Sequence, residues 1–409
     1  MTLDRAVGLV FLAKAVRTFC YGFLGILFPV HLSRLGLGPE GIGLAMAVTL
    51  AGSAAMTVAL RRPAERLGGR AVLMGLAALI GVSGTLFATT RAPALAVLAA
   101  VVGNLAVSVG ETGPFLSLEQ VLIARRAAGP GLTFTMSLYN LAGYGAAALG
   151  ALTVSLAAAA GEDGARPLFW LFAASGVVQI LIYRRLEPAA AAPSPPAGRP
   201  PRPSRGLVYR LAALFALDAL AGGFVLQSLV AFWFFAHFGV TLSSLGAIFF
   251  GAQVLTAVSF LLAARSATRF GLVNTMVFSH LIANGLLIAM AFAPTAGVAV
   301  ALLLARHLLS QMDVPTRQAY LMSVVEDHER EGAVTLTNAS RTVAQAVSPA
   351  FTGYVMQAAG LSAPFVLGGL LKIAYDLMLY AACRRWRPGA PDGAERGGVS
   401  AAARGGSAP

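Results

Sequence analysis

Apolar residues in this chain run on for about twenty positions at a time, as in Ala71 to Thr90 and Gly271 to Phe292, and the polar gaps between them are short. About twenty apolar residues in helical form cross a hydrocarbon core of about 30 Å. The pattern predicts twelve spans, at 7–30, 40–60, 70–90, 93–122, 131–158, 166–183, 208–236, 242–263, 271–292, 295–323, 332–357 and 362–382. They are expected to be helices, because a helix satisfies its own backbone hydrogen bonds in lipid and the runs lack the alternation of barrel strands. The first run carries Lys14 and Arg17 and no small-x-small cleavage site, so it reads as a retained span rather than a leader.

Composition supports a lipid environment: 57% of the residues are hydrophobic and only 11% charged. A water-exposed globule needs more charge than that. The formal net charge of +13 does not gather on one surface, as a nucleic-acid footprint would. The arginines punctuate the gaps, and with both termini cytoplasmic only Arg34, Arg91 and Arg166 fall outside. The positive-inside rule therefore orients the chain, with a bacterial inner membrane as its expected location.

Residues 184–206 are rich in Pro, Ala and Arg and cannot pack a core, so they read as a cytoplasmic linker. Residues 384–409 read as a disordered cytoplasmic tail. The linker separates two six-helix bundles, 1–183 and 207–383, that align with each other. An offset of 203 residues places Gly43 over Gly246 and Arg66-Leu67-Gly68 over Arg269-Phe270-Gly271. An offset of 201 brings Gly22-Phe23 over Gly223-Phe224 and Pro114 over Pro315.

Two parallel six-helix repeats joined by a long linker are one known transporter architecture. Over roughly residues 5 to 383 the chain resembles the major facilitator superfamily. The resemblance is carried by Pro63-Ala64-Glu65-Arg66-Leu67-Gly68-Gly69-Arg70, similar to that family's acidic-Arg-x-Gly-x-Arg loop with Glu65 in place of the commoner Asp. Thr268-Arg269-Phe270-Gly271 keeps the Arg and Gly and lacks the acid. Gly113 to Gln120 and Asp313 to Tyr320 look like a bacterial subgroup of the family. The resemblance implies an all-α polytopic protein that moves a small solute by alternating access. It further implies that the first, fourth, seventh and tenth helices line a central cavity.

Charge at bilayer depth costs at least a few kcal/mol unless it is paired or faces water. Arg17 lies about 18 Å beyond Arg5 along a helix, near mid-membrane. Its counterpart at an offset of 201 is Asp218, so opposite charges are offered at equivalent depth. The cavity set is Arg17, Glu111, Asp218, Arg306 and Asp313, with a carboxylate among Glu111, Asp218 and Asp313 expected to carry a proton. The tenth span, read as one helix, places Arg306, Asp313 and Arg317 on one face. The cytoplasmic gate is expected from Glu65, Arg66, Gly68, Arg70, Arg269 and Gly271, with Glu119, Arg317 and Arg341 nearer the cytoplasmic ends and more readily solvated. Lys372 and Asp376, one turn apart, have the spacing of a self-neutralising pair, and Lys14 is long enough to snorkel. Phe232 to Phe235 fit an interfacial aromatic belt.

Other chemistries find little footing. Cys20 and Cys383 are the only cysteines, and no two of the five histidines stand at an i, i+4 ligand spacing, so neither a metal nor a cofactor is expected. No Gly-x-x-x-x-Gly-Lys-Ser/Thr loop serves ATP. The Asp-rich or His-rich clusters of lipid-modifying membrane enzymes are absent, so no enzyme activity is expected, and a receptor or scaffold would call for a folded soluble domain. Drug efflux by antiport loses support from the resemblance, because Gly143 to Gly150 has glycines without the closing Gly-Pro. The expected partners are a small organic solute, protons and the bilayer, with the chain acting as a monomer.

Overall fold

The computed structural model describes residues 4–107, 113–126, 131–159, 166–187, 206–324 and 330–385. Residues 188–205 of the expected linker, 386–409 of the expected tail, and Glu111 fall outside these residues, while a helix that begins at Gly206 reaches into the expected linker and one that ends at Arg385 reaches into the expected tail. The first bundle contains α1 (Arg5–Arg34), α2 (Pro39–Ala59), α3 (Arg61–Leu67), α4 (Gly69–Thr89), α5 (Pro93–Val102), α6 (Pro114–Arg126), α7 (Gly131–Ala159) and α8 (Pro167–Arg184). The second contains α9 (Gly206–Gly223), α10 (Gln227–Phe238), α11 (Leu242–Phe270), α12 (Leu272–Ala291), α13 (Ala296–Ser310), α14 (Asp313–Val324), α15 (Arg330–Ala359) and α16 (Ala363–Arg385).

Among the described residues, nine helical stretches are long and apolar enough to cross a membrane. The remaining predicted spans are the pairs α5–α6 and α13–α14, each broken, and α15, whose length is sufficient but whose apolar character is diluted by residues such as Arg341. Three spans predicted as single helices are thus interrupted: the fourth after Gly103, the seventh between Gly223 and Gln227, and the tenth at Gln311 and Met312. The gap after the second span, expected to be a loop, is largely the short helix α3.

Pseudo-symmetry is visible in the backbone. Gly68 ends α3 at φ 84° and Gly271 ends α11 at φ 83°, a left-handed turn that glycine adopts without steric cost. These positions are 203 residues apart. Within the first bundle α1 packs on α7 and α8, and α4 on α8; within the second α9 packs on α15 and α16, and α12 on α13 and α16. The bundles meet where α2 lies against α15 and α7 against α11.

Two close backbone approaches in that meeting lie at the end carrying the α1–α2 turn, away from the N-terminus of α1. A side chain at Gly43 would collide with the Pro349 carbonyl and the Gly353 backbone, and one at Gly246 with the Ser155 backbone. Lipid supplies no hydrophobic drive between helices, so association rests on close backbone approach of this kind. Ser243 Oγ adds a 3.1 Å hydrogen bond to the Ser155 carbonyl, and Ser228 N donates to the Val107 carbonyl at 3.4 Å. The aromatic run near this end is not a lipid belt. Phe232, Trp233 and Phe234 are buried, and Trp233 Nε1 bonds Ser362 Oγ at 3.0 Å.

Candidate functional site

Each bundle holds an ion cluster at its own core. In the first, the α1 residue Arg17 meets the α6 residue Glu119 through two parallel bonds, Nη1 to Oε1 at 3.0 Å and Nη2 to Oε2 at 2.7 Å. Both side chains are fully buried. The hydroxyls of Tyr139 on α7 and Tyr183 on α8 donate to the two Glu119 oxygens, and Gln179 Oε1 accepts from Arg17 Nη1 at 3.4 Å. Phe115 lies under the guanidinium at 4.3 Å. A bidentate pair whose remaining positions are bonded is the condition under which buried charge is tolerated. Lys14 is buried beside it, 4.5 Å over the Tyr139 ring, rather than reaching toward the interface.

In the second bundle one carboxylate serves three cations. Asp218 on α9 accepts from Lys372 Nζ on α16 at 2.7 Å, from Arg341 Nη1 on α15 at 2.9 Å and from Arg317 Nη1 on α14 at 3.1 Å. Arg317 also bonds Asp313 at 2.8 Å. His280 on α12 lies between two acids, its Nδ1 2.7 Å from Asp376 Oδ1 and its Nε2 4.0 Å from Asp218 Oδ1. Asn284 Nδ2 holds the other Asp376 oxygen at 3.0 Å. Three acids and three permanent cations balance, with His280 between two of the acids. Arg341 is the exposed edge, at 28% of its side chain, against 5% to 8% for Asp218, Arg317 and Lys372.

Arg17 corresponds to Asp218 at the offset of 201 residues that also pairs Pro114 with Pro315, so opposite charges stand at matching positions of α1 and α9.

Several sequence readings change accordingly. Arg17 does not face Asp218 across a wet passage; each is neutralised inside its own bundle. Glu119 is fully buried rather than solvated near an end, and Arg317 is also buried. Lys372 and Asp376 bond Asp218 and His280 rather than standing as an isolated pair, because longer-range partners lie closer. Among the described contacts Arg306 forms no direct ion pair with Asp313, which bonds Arg317 instead, and the break at Gln311 and Met312 interrupts the helical face the three were expected to share; the Arg306 Nε is buried without a hydrogen-bond partner. His280, Arg341, Lys372 and Asp376 join a site that the sequence reading centred elsewhere. The usable signal was charge on the eleventh and twelfth spans, which have no polar function if they face lipid.

At the terminus-bearing end, Glu65, Arg66 and Arg269 are exposed and Arg70 half-buried. The Arg269 guanidinium lies 5.3 Å from the adjacent Phe270 ring. Arg126, at the end of α6, bonds Asp4 and Glu187 at 3.3 Å each, tying the ends of α1, α6 and α8. The Ala6 backbone N–H and the Arg126 charge hold the Asp4 carboxyl below its ordinary range.

Comparison with known proteins agrees with this architecture. Residues 10–305 and 211–405 match the Major Facilitator Superfamily. An uncharacterized membrane protein of Saccharomyces cerevisiae, YJR124C, is 23% identical over 92% of this chain and 93% of its own. The nucleoside transporter NupG superposes with a TM-score of 0.72 at 14% identity, covering 93% of this chain and all of its own. A D-xylose-proton symporter does so at 0.71 and 14% identity, covering 91% and 97%. With matched residues running through both bundles, the chain belongs to the major facilitator superfamily.

Proposed function

We propose that this protein is a secondary active transporter that carries a small organic solute across a bacterial inner membrane by alternating access, coupled to protons and working as a monomer. The observation that carries this reading is the seam: the paired contacts at Gly43 with Gly353 and at Gly246 with Ser155 close one end of the interface between two pseudo-symmetric bundles. With both termini cytoplasmic, the closed end is the outer face. Residues 1–183 and 207–383 are then the two bodies that rock, joined by the linker 184–206, with Glu65, Arg66, Gly68, Arg70, Arg269 and Gly271 at the cytoplasmic gate.

Proton coupling is assigned to the second cluster. A proton on His280 adds a fourth cation and sets Nε2 competing with Lys372 for the same Asp218 oxygen. Asp313, Asp376, Arg317 and Arg341 complete the charged groups around it, with the Tyr375 ring 6.1 Å away. The pentose-proton and nucleoside transporters of the same fold make those solute classes the first to test.

The deciding experiment is solute-driven proton flux in proteoliposomes loaded with a pH-sensitive dye. Pentoses, nucleosides, polyols, organic anions and organic cations are added in turn. At least one class is expected to move protons and to accumulate against an imposed pH gradient. If no class is taken up or moves protons, the reading fails.

A further inference from the structure

The seam between α4 and α8 opens into a furrow on the outside of the first bundle. At Gly176 the two helices touch, since a Cβ there would meet the Ala77 carbonyl at 2.5 Å and the Gly81 nitrogen at 2.7 Å. Beside that contact space is left: a Cβ at Gly81 would meet nothing nearer than the Ala173 carbonyl at 3.8 Å. The resulting groove has a volume of about 440 Å³ and runs from Ala77 to Leu86 along α4, past Val177 and Ile180 on α8. That is about 14 Å of helix. Val82 and Val177, on its two sides, are more than half exposed. Thr85 is the one polar side chain in the lining, and its hydroxyl is spent on the Gly81 carbonyl at 2.9 Å. The furrow therefore offers its occupant contact with hydrocarbon and no hydrogen bond.

Charge collects where the furrow reaches the end carrying the α1–α2 turn. Arg34 is the last residue of α1, Arg91 stands two residues past α4 and Arg166 immediately precedes α8. These helices are neighbours, with α8 packed on both α1 and α4. Arg166 Nη2 lies 3.5 Å from the Ala88 carbonyl, two residues beyond the groove wall at Leu86. Arg34 and Arg166 are both within electrostatic reach of His31, whose buried Nε2 has no hydrogen-bond partner. All three arginines are exposed, and no ion pair among the described residues uses them. Glu162 and Asp163, close to Arg166 in sequence, lie outside the described residues. Trp170, seven residues before Val177 on the same face of α8, is half exposed, and an indole there suits the boundary between hydrocarbon and headgroups.

We propose that the α4–α8 furrow holds an acyl chain of an anionic phospholipid, whose phosphate is met at the rim by Arg166 and Arg34. A furrow on the outer wall of a membrane bundle is bathed in hydrocarbon, so its filling comes from lipid or from another helix. A helix with its side chains is about 10–12 Å across, too broad for the channel between two helices whose axes lie about 8–10 Å apart; an unbranched chain is narrow enough. Guanidinium groups with no acid beside them select a headgroup of net negative charge over one that carries its own cation. The site lies within the first bundle, away from the seam where α2 meets α15 and α7 meets α11. It requires only that the chain cross a membrane and stands apart from the transport reading.

The test is native mass spectrometry of the full-length protein, stripped of lipid in detergent and titrated with phosphatidylglycerol or phosphatidylcholine bearing the same chains. One phosphatidylglycerol is expected to remain bound at concentrations where phosphatidylcholine does not. Arg34→Gln combined with Arg166→Gln is expected to weaken phosphatidylglycerol about tenfold, the scale of one charge-assisted hydrogen bond, and to leave phosphatidylcholine unchanged. Gly81→Leu, which fills the furrow, is expected to weaken both lipids. The arginine variant alters only exposed side chains, so the test survives if Gly81→Leu does not fold. Equal retention of the two lipids, or unaltered phosphatidylglycerol affinity in the arginine variant, overturns the site. Displacement of the lipid by glycerol 3-phosphate at equal concentration overturns it in favour of a free phosphate, and a lipid-free dimer broken by Gly81→Leu assigns the furrow to a second copy instead.

Discussion

The first bundle's cluster is one pair sealed by hydrogen bonds, whereas the second's is one acid divided among three cations. Arg17 and Glu119 are fully buried and bidentate, and two tyrosine hydroxyls close the carboxylate. Asp218 can lose any one of Lys372, Arg341 or Arg317 and remain paired, and Arg341 already reaches the edge of the protein. Buried charge is therefore a fixed brace in one bundle and an adjustable set of pairings in the other.

The largest effect should come from half-removing the brace. Glu119→Ala leaves a buried guanidinium uncompensated and is expected to cost about 3–5 kcal/mol, read as loss of folded protein or a large fall in Tm in detergent. Arg17→Met combined with Glu119→Met removes both charges and is expected to restore Tm to near wild type, because a buried pair replaced by apolar groups is often neutral. A double variant no more stable than Glu119→Ala would show that the cluster is more than a brace.

A smaller loss is expected from Arg341→Gln. Asp218 keeps two cations, so stability should fall by only about 1 kcal/mol, while solute-driven proton flux falls much further. Equal damage to Tm in Arg341→Gln and Glu119→Ala would erase the contrast between the bundles. His280→Asn is expected to leave Tm nearly unchanged and to flatten the dependence of uptake on pH; retention of the wild-type pH profile would remove His280 from the coupling path.

The smallest effect belongs to the exposed ties at the termini. The folded Asp4 carboxyl sits below the ordinary aspartate value of about 3.9, so its contribution is present above about pH 4 and lost as pH falls through the lowered folded value. Asp4→Asn should lower Tm slightly at neutral pH, and the difference from wild type should vanish at the acid end. A difference that grows toward acid would contradict the sign.

Most of the spans were legible, because apolar runs near membrane length have few alternative fates. The breaks in the fourth and seventh spans were not, because Leu105 to Val107 and Phe224 to Leu226 are themselves apolar and leave the hydropathy pattern continuous. Gly103-Asn104 and Gly222-Gly223 were the available punctuation, since both glycine and asparagine weaken a helix interior. The depth of Arg17 was legible from spacing along α1, but its partner was not: the bond to Glu119 joins residues 102 positions apart. His280 and Asp376 are 96 apart, and the i, i+4 spacing of Lys372 and Asp376 pointed to each other instead. Local spacing shows which charges share a face and not which distant helix brings the nearer partner.

The most direct measurement is solute-driven proton flux in proteoliposomes of the Arg17→Met/Glu119→Met double variant beside Arg341→Gln, at equal folded protein. A brace in one bundle and adjustable pairings in the other predict near wild-type flux from the double variant and a severe loss from Arg341→Gln. Abolished flux in a well-folded double variant, with Arg341→Gln still active, would place the working charges in the first bundle and contradict the account.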